Sequence, residues 1–479
     1  MHPACDYNDP MTAHAASAES GAVLQRVLVP LALAQFICSF AGSNMNVMIN
    51  DISEDLDTTV KGVQTAITLF LLIMAILMIP GSKLTDRWGR KRCFTYGLVL
   101  YGIGALLSAA SPNLGVLILG NSVCEGVGTA LLIPPVYILT TMAFHDVTSR
   151  ARAFGIVSGA GGIGAAAGPL IGGIIATGIS WRAAFLFQAA VVAAIVWLSR
   201  HLVDPVAPDP TRRFDVIGAL LSGAGMLLVV LAILQAGTNG LLLAILFLLG
   251  ASFLLLFALY VAHEERVGKE PLLSLALFRN RTSNLGLVTQ NIQWLLLLGI
   301  AFVVSVYLQT VRDFNAIKTG VVFTAATAGV LISSLAAERL ARRYAQRTLI
   351  RAGFVITIAG IGLLLALASA SENVLSFTPG LLTIGLGVGV MLTPSVNVVQ
   401  SSFPEAQQGE ISGLSRSVSN LGSSFGTAIA GTILVSDLAS GNRSYVLATI
   451  VLGAFALIGL AAAWRLPAPE EVRSRPAST

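Results

Sequence analysis

Long apolar stretches separated by short polar loops run along almost the whole chain of 479 residues. About 20 apolar helical residues cross a bilayer core, and the chain has fourteen runs of roughly that length or longer. The runs cover approximately residues 26–49, 62–82, 93–111, 114–143, 152–178, 183–203, 214–236, 240–262, 284–309, 318–338, 349–370, 376–401, 411–435 and 443–465. The pattern therefore predicts an all-α membrane protein with fourteen transmembrane helices.

Composition agrees with this prediction. Hydrophobic residues make up 55% of the chain and charged residues 11%, whereas soluble domains carry about 25% charged residues. Residues 1–25 and 467–479 fall outside the apolar runs and are predicted to be cytoplasmic tails, the first of them disordered. The four cysteines show no metal-ligand spacing.

The basic residues predict the orientation of the chain in the membrane. With fourteen segments, 24 of the 29 Lys and Arg residues fall on one side. The other side keeps Lys61, Arg182, Arg312, Lys318 and Arg443. Positive charge marks the cytoplasmic side, so we expect a multi-pass protein of the cell (inner) membrane with both termini in the cytoplasm.

Internal similarity divides the chain into two related halves. The glycines and proline of segment four recur in segment twelve, as Gly126, Gly128 and Pro135 against Gly385, Gly387 and Pro394. We expect six-helix bundles at 26–203 and 283–466. The linker 204–282 holds two inserted transmembrane helices and an amphipathic segment. Parallel repeats of this kind are typical of transporters, whose site lies between the halves.

Segment five carries glycines that leave one helix face without side chains. They are Gly155, Gly164, Gly168 and Gly172, with Pro169 beside the third. Glycine faces let neighbouring backbones approach closely, and the proline removes a backbone donor. We expect this helix to form a moving interface between the two bundles.

These motifs resemble those of a known family. The loop of residues 82–92, with Ser82, Asp86, Arg87, Gly89 and Arg90, resembles the signature loop of the major facilitator superfamily. The segment-five pattern is similar to the antiporter signature of that superfamily. Residues 271–281 and 307–309 look like the fourteen-helix drug/proton antiporter family. The resemblance implies the major facilitator fold and proton-coupled efflux.

Two positions depart from that family. Relatives often carry an aspartate where this chain has Ala41, and an arginine and a glutamine where it has Ser122 and Glu125. An arginine is lost and a carboxyl group gained. These departures question whether the proton relay of the family is retained.

Glu125 is predicted to be the residue that couples transport to protons. It lies about eleven residues from the outer end of segment four, near mid-membrane at about 1.5 Å per residue. An intramembrane acid must be neutral, paired or solvated by a cavity, and such residues are commonly functional. The alternative is an acid that stays protonated and only bonds helices together.

Polar side chains in segments one, nine and twelve are the candidate substrate contacts. They are Gln35, Asn46, Asn50, Gln290, Asn291, Gln293, Trp294 and Asn397. Amides do not face lipid without partners, so they either line a substrate path or hold helices together. The loop 82–92 is expected to control conformation through Asp86, and its basic residues can also bind lipid headgroups.

These observations predict a transporter and not an enzyme, with no catalytic residues, metal or cofactor. The chain shows no phosphate-binding loop and no surface for nucleic acid. Its expected partners are small amphipathic substrates, protons and membrane lipids, and it is expected to be a monomer. Rival interpretations are an exporter of lipid or sugar-like cargo without standard proton coupling, and a non-transporting membrane sensor or scaffold.

Overall fold

The computed structural model describes residues 24–144, 147–204, 207–211, 214–235, 239–341, 343–370, 374–404, 407–435 and 442–467. The predicted tails lie outside these ranges, apart from Leu24, Gln25 and Pro467. Within them the chain forms helices and loops, and the described part contains no strand.

In the part of the chain that the structure describes, fourteen helices are long and apolar enough to span a membrane, as predicted. We number them α1 to α14: Arg26–Asp55, Val60–Trp88, Arg90–Ala109, Leu114–Ala143, Gly155–Gly178, Trp181–His201, Val216–Gln235, Gly240–Arg266, Arg281–Thr310, Ala316–Ala341, Gln346–Leu367, Phe377–Gln400, Glu410–Val435 and Asn442–Trp464. The all-α fold class is confirmed.

Short polar side chains begin several of these helices. Thr59, Asn113, Ser180, Asn239 and Asn280 each accept a hydrogen bond from the backbone N–H three residues later. Each bond satisfies one of the N–H groups that a helix start leaves without a partner. The short loops between apolar runs therefore fix where the spans start.

Helix packing repeats between the N-terminal half, α1–α6, and the C-terminal half, α9–α14. The pairs α1–α5, α2–α4, α3–α4 and α3–α6 recur as α9–α13, α10–α12, α11–α12 and α11–α14. The two most extensive contacts between the halves are α2–α13 and α5–α10, and smaller ones join α1 to α9 and α10, and α4 to α13. The first two correspond to each other, so the halves meet along two related seams.

The inserted helices α7 and α8 lie outside this arrangement. Helix α7 packs against α2 and α13, and α8 packs against α7. Only 6% of the most apolar stretch of α8 is buried. Helix α7 therefore flanks the α2–α13 seam, and α8 lies on the outer side of α7.

The two ends of the helix bundle differ in charge. One end, here the basic face, carries the loop with Asp86, Arg87 and Arg90 between α2 and α3. The opposite end, the acidic face, carries Asp55 and Asp57 between α1 and α2.

Candidate functional site

The two halves are joined at the acidic face by residues of α1 and α9. The Asn50 backbone N–H donates to Gln309 Oε1 at 3.1 Å, and Asn50 Nδ2 donates to the Gln309 carbonyl at 2.8 Å. Gln309 Nε2 and the Ser305 hydroxyl both donate to the Asn46 carbonyl. The predicted substrate contacts Asn46 and Asn50 thus join the halves in this conformation.

The α2–α13 seam is bonded over much of its length. Near the acidic face Gln64 Nε2 donates to the Thr427 carbonyl at 3.2 Å. Further along, the Ser417 hydroxyl donates to the Ala75 carbonyl at 2.5 Å. Each of these side chains is buried, so this side is closed.

The α5–α10 seam is close-packed at one end only. A Cβ built on Gly320 of α10 would lie 2.4 Å from the Pro169 carbonyl oxygen, and one on Gly173 would lie 2.4 Å from that of Ala316. Gly155 and Gly162 continue the same face of α5 toward the basic face. A Cβ on either would meet no atom of the described part of the chain within 4 Å. The seam therefore opens toward the basic face.

The segment-five glycines were predicted at the interface between the bundles, and for most of them this placement is wrong. A Cβ on Gly164 would lie 2.2 Å from the Phe36 carbonyl oxygen, and those on Gly168 and Gly172 would meet Ser43 and Asn44. All three neighbours belong to α1, in the same half. Glycine spacing predicts a close approach but not the partner helix.

Pro169 does lie at the interface between the halves, through its contact with Gly320. Gly155 has an open face. The C-terminal half repeats the arrangement, because Cβ atoms on Gly422 and Gly426 would meet carbonyl groups of α9. These close backbone contacts hold α1 to α5 and α9 to α13 as two tightly packed helix pairs.

Glu125 is fully buried inside the N-terminal half. The Ser108 hydroxyl lies 3.3 Å from Glu125 Oε1, and Tyr101 is also within hydrogen-bonding reach of the carboxyl group. Both partners are on α3. The carboxyl group thus lies between α3 and α4, away from the seams between the halves.

A π-helix, Ile118–Glu125, sets this position. Its wider turn carries Glu125 toward α3, where Gly104 leaves room: a Cβ on Gly104 would lie 2.8 Å from the Glu125 backbone nitrogen. Such π-helical turns are frequent at functional sites. Regular α-helical spacing could not have predicted which neighbours Glu125 would contact.

The candidate substrate residues of α9 face several ways. Gln290 accepts a hydrogen bond from the Ser415 hydroxyl at 2.9 Å, and Asn291 donates to the Val418 carbonyl at 2.8 Å. Gln293 is buried, and neither of its amide atoms has a partner among the described residues. Trp294 is half-buried. Gln290 and Asn291 thus join α9 to α13.

Gln35 and Asn397 lie on the other predicted helices. Gln35 Nε2 donates to the Ser39 hydroxyl of α1 at 3.2 Å, and its Oε1 has no partner among the described residues. Asn397 on α12 is exposed. Gln35 and Gln293 therefore retain amide atoms that a substrate could bind.

Arg416 of α13 is a further candidate that sequence reasoning placed with the basic residues of the cytoplasmic side. It lies two turns inside α13, its guanidinium 4.6 Å from the ring centroid of Tyr137 on α4. It also donates to the Tyr137 hydroxyl. The contact joins the halves through a cation and an aromatic ring. In the sequence, the indication that Arg416 is functional was its position as a single arginine within a serine-rich transmembrane segment.

At the basic face the predicted loop is held by two carboxylates. Asp86 pairs with Arg90 at 3.0 Å, within the N-terminal half. Asp204, in the linker, accepts the Arg90 and Lys91 backbone N–H groups at 2.6 and 3.3 Å. Gly89 turns the chain there with φ of +96°, a conformation that glycine adopts readily.

An ion pair also joins the halves at this face. Lys83 Nζ lies 3.2 Å from Glu410 Oε1, at the start of α13. Neighbouring Ser82 faces the same helix, because a Cβ on Gly413 would lie 3.4 Å from its Cβ. Arg87 and Lys83 line a small cleft shared with Asp215. Sequence reasoning named Ser82, Asp86 and Arg87 but missed Lys83 and Glu410.

The arrangement suits movement of two rigid halves about a shared axis. Near the acidic face the halves are in contact along both seams and between α1 and α9. Toward the basic face the α5–α10 seam opens. The described residues include no group of His, Cys, Asp and Glu able to hold a metal ion.

Comparison with known proteins agrees with this architecture. Residues 31–427 match the family model of the Major Facilitator Superfamily. The puromycin resistance protein pur8 of Streptomyces alboniger is 29% identical over 411 residues, 85% of this chain and 81% of that protein. The multidrug efflux pump LfrA of Mycolicibacterium smegmatis is 29% identical over 386 residues, 80% of this chain and 75% of that protein.

A solved structure shows the same fold. The crystal structure of a peptide transporter POT in complex with sulfate superimposes with a TM-score of 0.67. The match covers 92% of this chain and 95% of the other at 16% identity, so the likeness concerns the fold alone. With its fourteen spans and a family match over most of its length, the chain belongs to the major facilitator superfamily and is a membrane transporter, not an enzyme.

Proposed function

We propose that the protein exports small amphipathic compounds in exchange for protons. The printed names of its relatives, a puromycin resistance protein and a multidrug efflux pump, support this cargo. The excess of basic residues on one side supports a place in the cell (inner) membrane, with the basic face and both termini in the cytoplasm.

The observation that carries the proposal is the asymmetric contact between the halves. They are joined at the acidic face through Asn50 and Gln309. At the basic face the α5–α10 seam opens beside Gly155. A transporter that receives cargo from the cytoplasm needs a conformation of this kind. The opposite conformation, which is open at the acidic face, requires the Asn50–Gln309 contact to separate.

Proton and substrate would occupy separate places in this mechanism. Glu125 would carry the proton inside the N-terminal half, while Gln35, Gln293 and Arg416 would face cargo between the halves. Helix α1 links the two places, since the Ile37 carbonyl accepts from Tyr101 at 3.4 Å. A change at Glu125 can therefore reach the substrate through α1.

The test is transport by the purified chain in liposomes. Puromycin and the dye ethidium would serve as probes, with an imposed proton gradient. We expect movement of at least one probe against its concentration gradient, and loss of that movement when a protonophore collapses the proton gradient.

The rivals predict different results. Concentrative transport that survives the protonophore would contradict proton coupling and favour the exporter without it. A chain that moves neither probe, and does not protect cells that overproduce it against either compound, would favour a sensor or scaffold.

A further inference from the structure

Glu125 belongs to a group of buried polar side chains inside the N-terminal half. This group, the inner polar cluster, comprises Tyr101, Ser108, Asn121, Glu125 and Gln188. Its members come from α3, α4 and α6, and each is at most 1% exposed. The Tyr101 hydroxyl donates to Gln188 Oε1 at 2.5 Å, and Asn121 precedes Glu125 by one helical turn.

Several polar atoms of the cluster have no partner among the described residues. They are both amide atoms of Asn121, Glu125 Oε2 and Gln188 Nε2. Buried polar atoms without hydrogen bonds are costly, and proteins satisfy them with internal water. The cluster is therefore suited to hold water next to the Glu125 carboxyl group.

A line of polar contacts runs from Glu125 to the acidic face. Ser108, which contacts Glu125, accepts at its backbone carbonyl from the Ser111 hydroxyl at 2.8 Å. The Ser111 carbonyl in turn accepts from Arg182 Nη2 at 2.9 Å. Arg182 forms an ion pair with Asp55. The side chains of this pair are 33% and 45% exposed, so the line ends at the protein surface.

Toward the basic face the buried Thr129 hydroxyl lies one turn beyond Glu125 on α4, and the side chains that follow it are apolar. Between the cluster and the basic face lie Phe94 and Leu98 on α3 and Leu132 and Val136 on α4, all with no exposed surface. Close-packed aliphatic and aromatic side chains leave no room for water. In this conformation the hydrogen-bonded line from Glu125 runs toward the acidic face.

We infer that Glu125 receives its proton from the acidic face through the N-terminal half, on water that enters beside Ser111 beneath the Asp55–Arg182 pair. The Ser108 hydroxyl passes a proton to Glu125 and takes one back from that water. The substrate path between the halves is not used for this step. The inference rests on the proposed function, in which Glu125 is the exchangeable acid. It adds a proton route formed by residues outside the motifs identified in the sequence.

The Asp55–Arg182 pair is placed to open and close this route. Asp55 ends the segment Ile49–Asp55, which also carries Asn50 and its contacts to Gln309. When the halves separate at the acidic face, that segment loses its partner and can move relative to Arg182. Proton entry would then accompany opening toward the acidic face.

The groups around Glu125 leave it as the proton acceptor. The titratable side chains that face it are Tyr101 on α3, Cys38 on α1 and Cys124 on α4 itself. Helix α6 presents the neutral Gln188. Thiols and phenols are neutral at ordinary pH, so the carboxyl group is the one that exchanges.

Proton loading can be timed without knowing the substrate. The full chain in detergent would be taken through a rapid pH drop while the infrared carbonyl band of protonated carboxyl groups is followed. The part of this band that is missing from the Glu125→Gln variant is the contribution of protonated Glu125. We expect Ser108→Ala to slow its rise by roughly tenfold or more while keeping its final size. We expect Arg182→Gln to accelerate it.

Ser122→Ala is the matched control. Ser122 lies on α4 near Glu125, is equally buried, and donates to the Ala66 carbonyl of α2 at 2.8 Å, off the route. In the Ser122→Ala variant, Glu125 should take up its proton at the same rate as in the unmodified protein. An unmodified rate in Ser108→Ala, or equal slowing in Ser122→Ala, would overturn the route. A band that Glu125→Gln does not alter would instead overturn Glu125 as the exchangeable acid. Arg182→Gln keeps the route testable should Ser108→Ala fail to fold.

Discussion

A carboxyl group carries protons only where both of its forms have hydrogen-bond partners. Around Glu125 the Ser108 hydroxyl can donate to a carboxylate, and the Tyr101 hydroxyl, which donates to Gln188, lies within hydrogen-bonding reach. Oε2, which has no partner among the described residues, offers a position for the proton. Glutamine has nearly the same shape and can keep the contacts to both hydroxyls. The substitution thus separates proton exchange from packing.

We therefore expect Glu125→Gln to abolish proton-driven efflux while leaving the fold intact. Efflux in vesicles under an imposed pH gradient measures the first, and thermal unfolding in detergent the second. Glu54→Gln, at an exposed acid of the acidic face, is the control and should transport normally. Undiminished efflux by Glu125→Gln at normal expression would remove Glu125 from the mechanism.

The Lys83–Glu410 pair joins the halves but should contribute little energy. The two side chains are 32% and 18% exposed, and ion pairs of this kind contribute about 1 kcal/mol or less. We expect Glu410→Gln to shift the balance between the two conformations by about fivefold at most, away from the one described. Spin labels placed across the basic face would measure the populations.

Glu264→Gln is the control for this experiment. Its carboxylate pairs with Lys269 at 3.1 Å, within one stretch of the inserted segment, so it should leave the populations unchanged. A large shift with Glu410→Gln would mean that its second contact, to the Ser274 backbone N–H at 3.2 Å, also holds the linker in place.

At the scale of helices, α5 carries two kinds of glycine. Gly164 faces the backbone of α1, where a Cβ would lie 2.2 Å from the Phe36 carbonyl oxygen. Gly155 faces open space. Backbone atoms cannot move aside as a flexible side chain can. The same substitution at the two positions should thus have opposite consequences.

Gly164→Ala is expected to destabilise the protein by about 1–3 kcal/mol, because α1 and α5 must separate to admit the methyl group. Gly155→Ala should be neutral or slightly stabilising, since alanine is the better helix former. Thermal unfolding of both variants in detergent checks this. Lost transport at unchanged stability in Gly164→Ala would instead favour the gating role predicted for this glycine.

How much the sequence could predict differs between elements and contacts. Apolar run lengths predicted all fourteen spans, because a bilayer demands helices of fixed length. Glycine spacing predicted that α5 is approached closely. It could not identify α1 as the neighbour, since spacing along one helix carries no information about its partner. The π-helix before Glu125 was likewise hidden, because its sequence resembles an ordinary span.

At the scale of the whole molecule, the repeat brings equivalent residues together. Asn46 contacts Ser305 and Asn50 contacts Gln309, each pair separated by 259 residues. Contacts between equivalent positions arise next to an axis that relates the two halves. These contacts lie near the acidic face, while the basic face opens along α5–α10. Alternating access would require them to break.

Cross-linking Asn50→Cys to Gln309→Cys should therefore stop transport. In a background without the 4 native cysteines, a short reducible thiol cross-linker would hold the acidic face shut, and reductant should restore efflux. The control pair is Gly102→Cys with Val192→Cys, on α3 and α6 of one half, where a Cβ on Gly102 would lie 3.3 Å from Val192. Joining two helices of the same half should leave efflux unchanged, because the halves move as rigid bodies. Continued efflux with Asn50→Cys and Gln309→Cys fully cross-linked would mean that cargo leaves without separation of α1 from α9 at the acidic face.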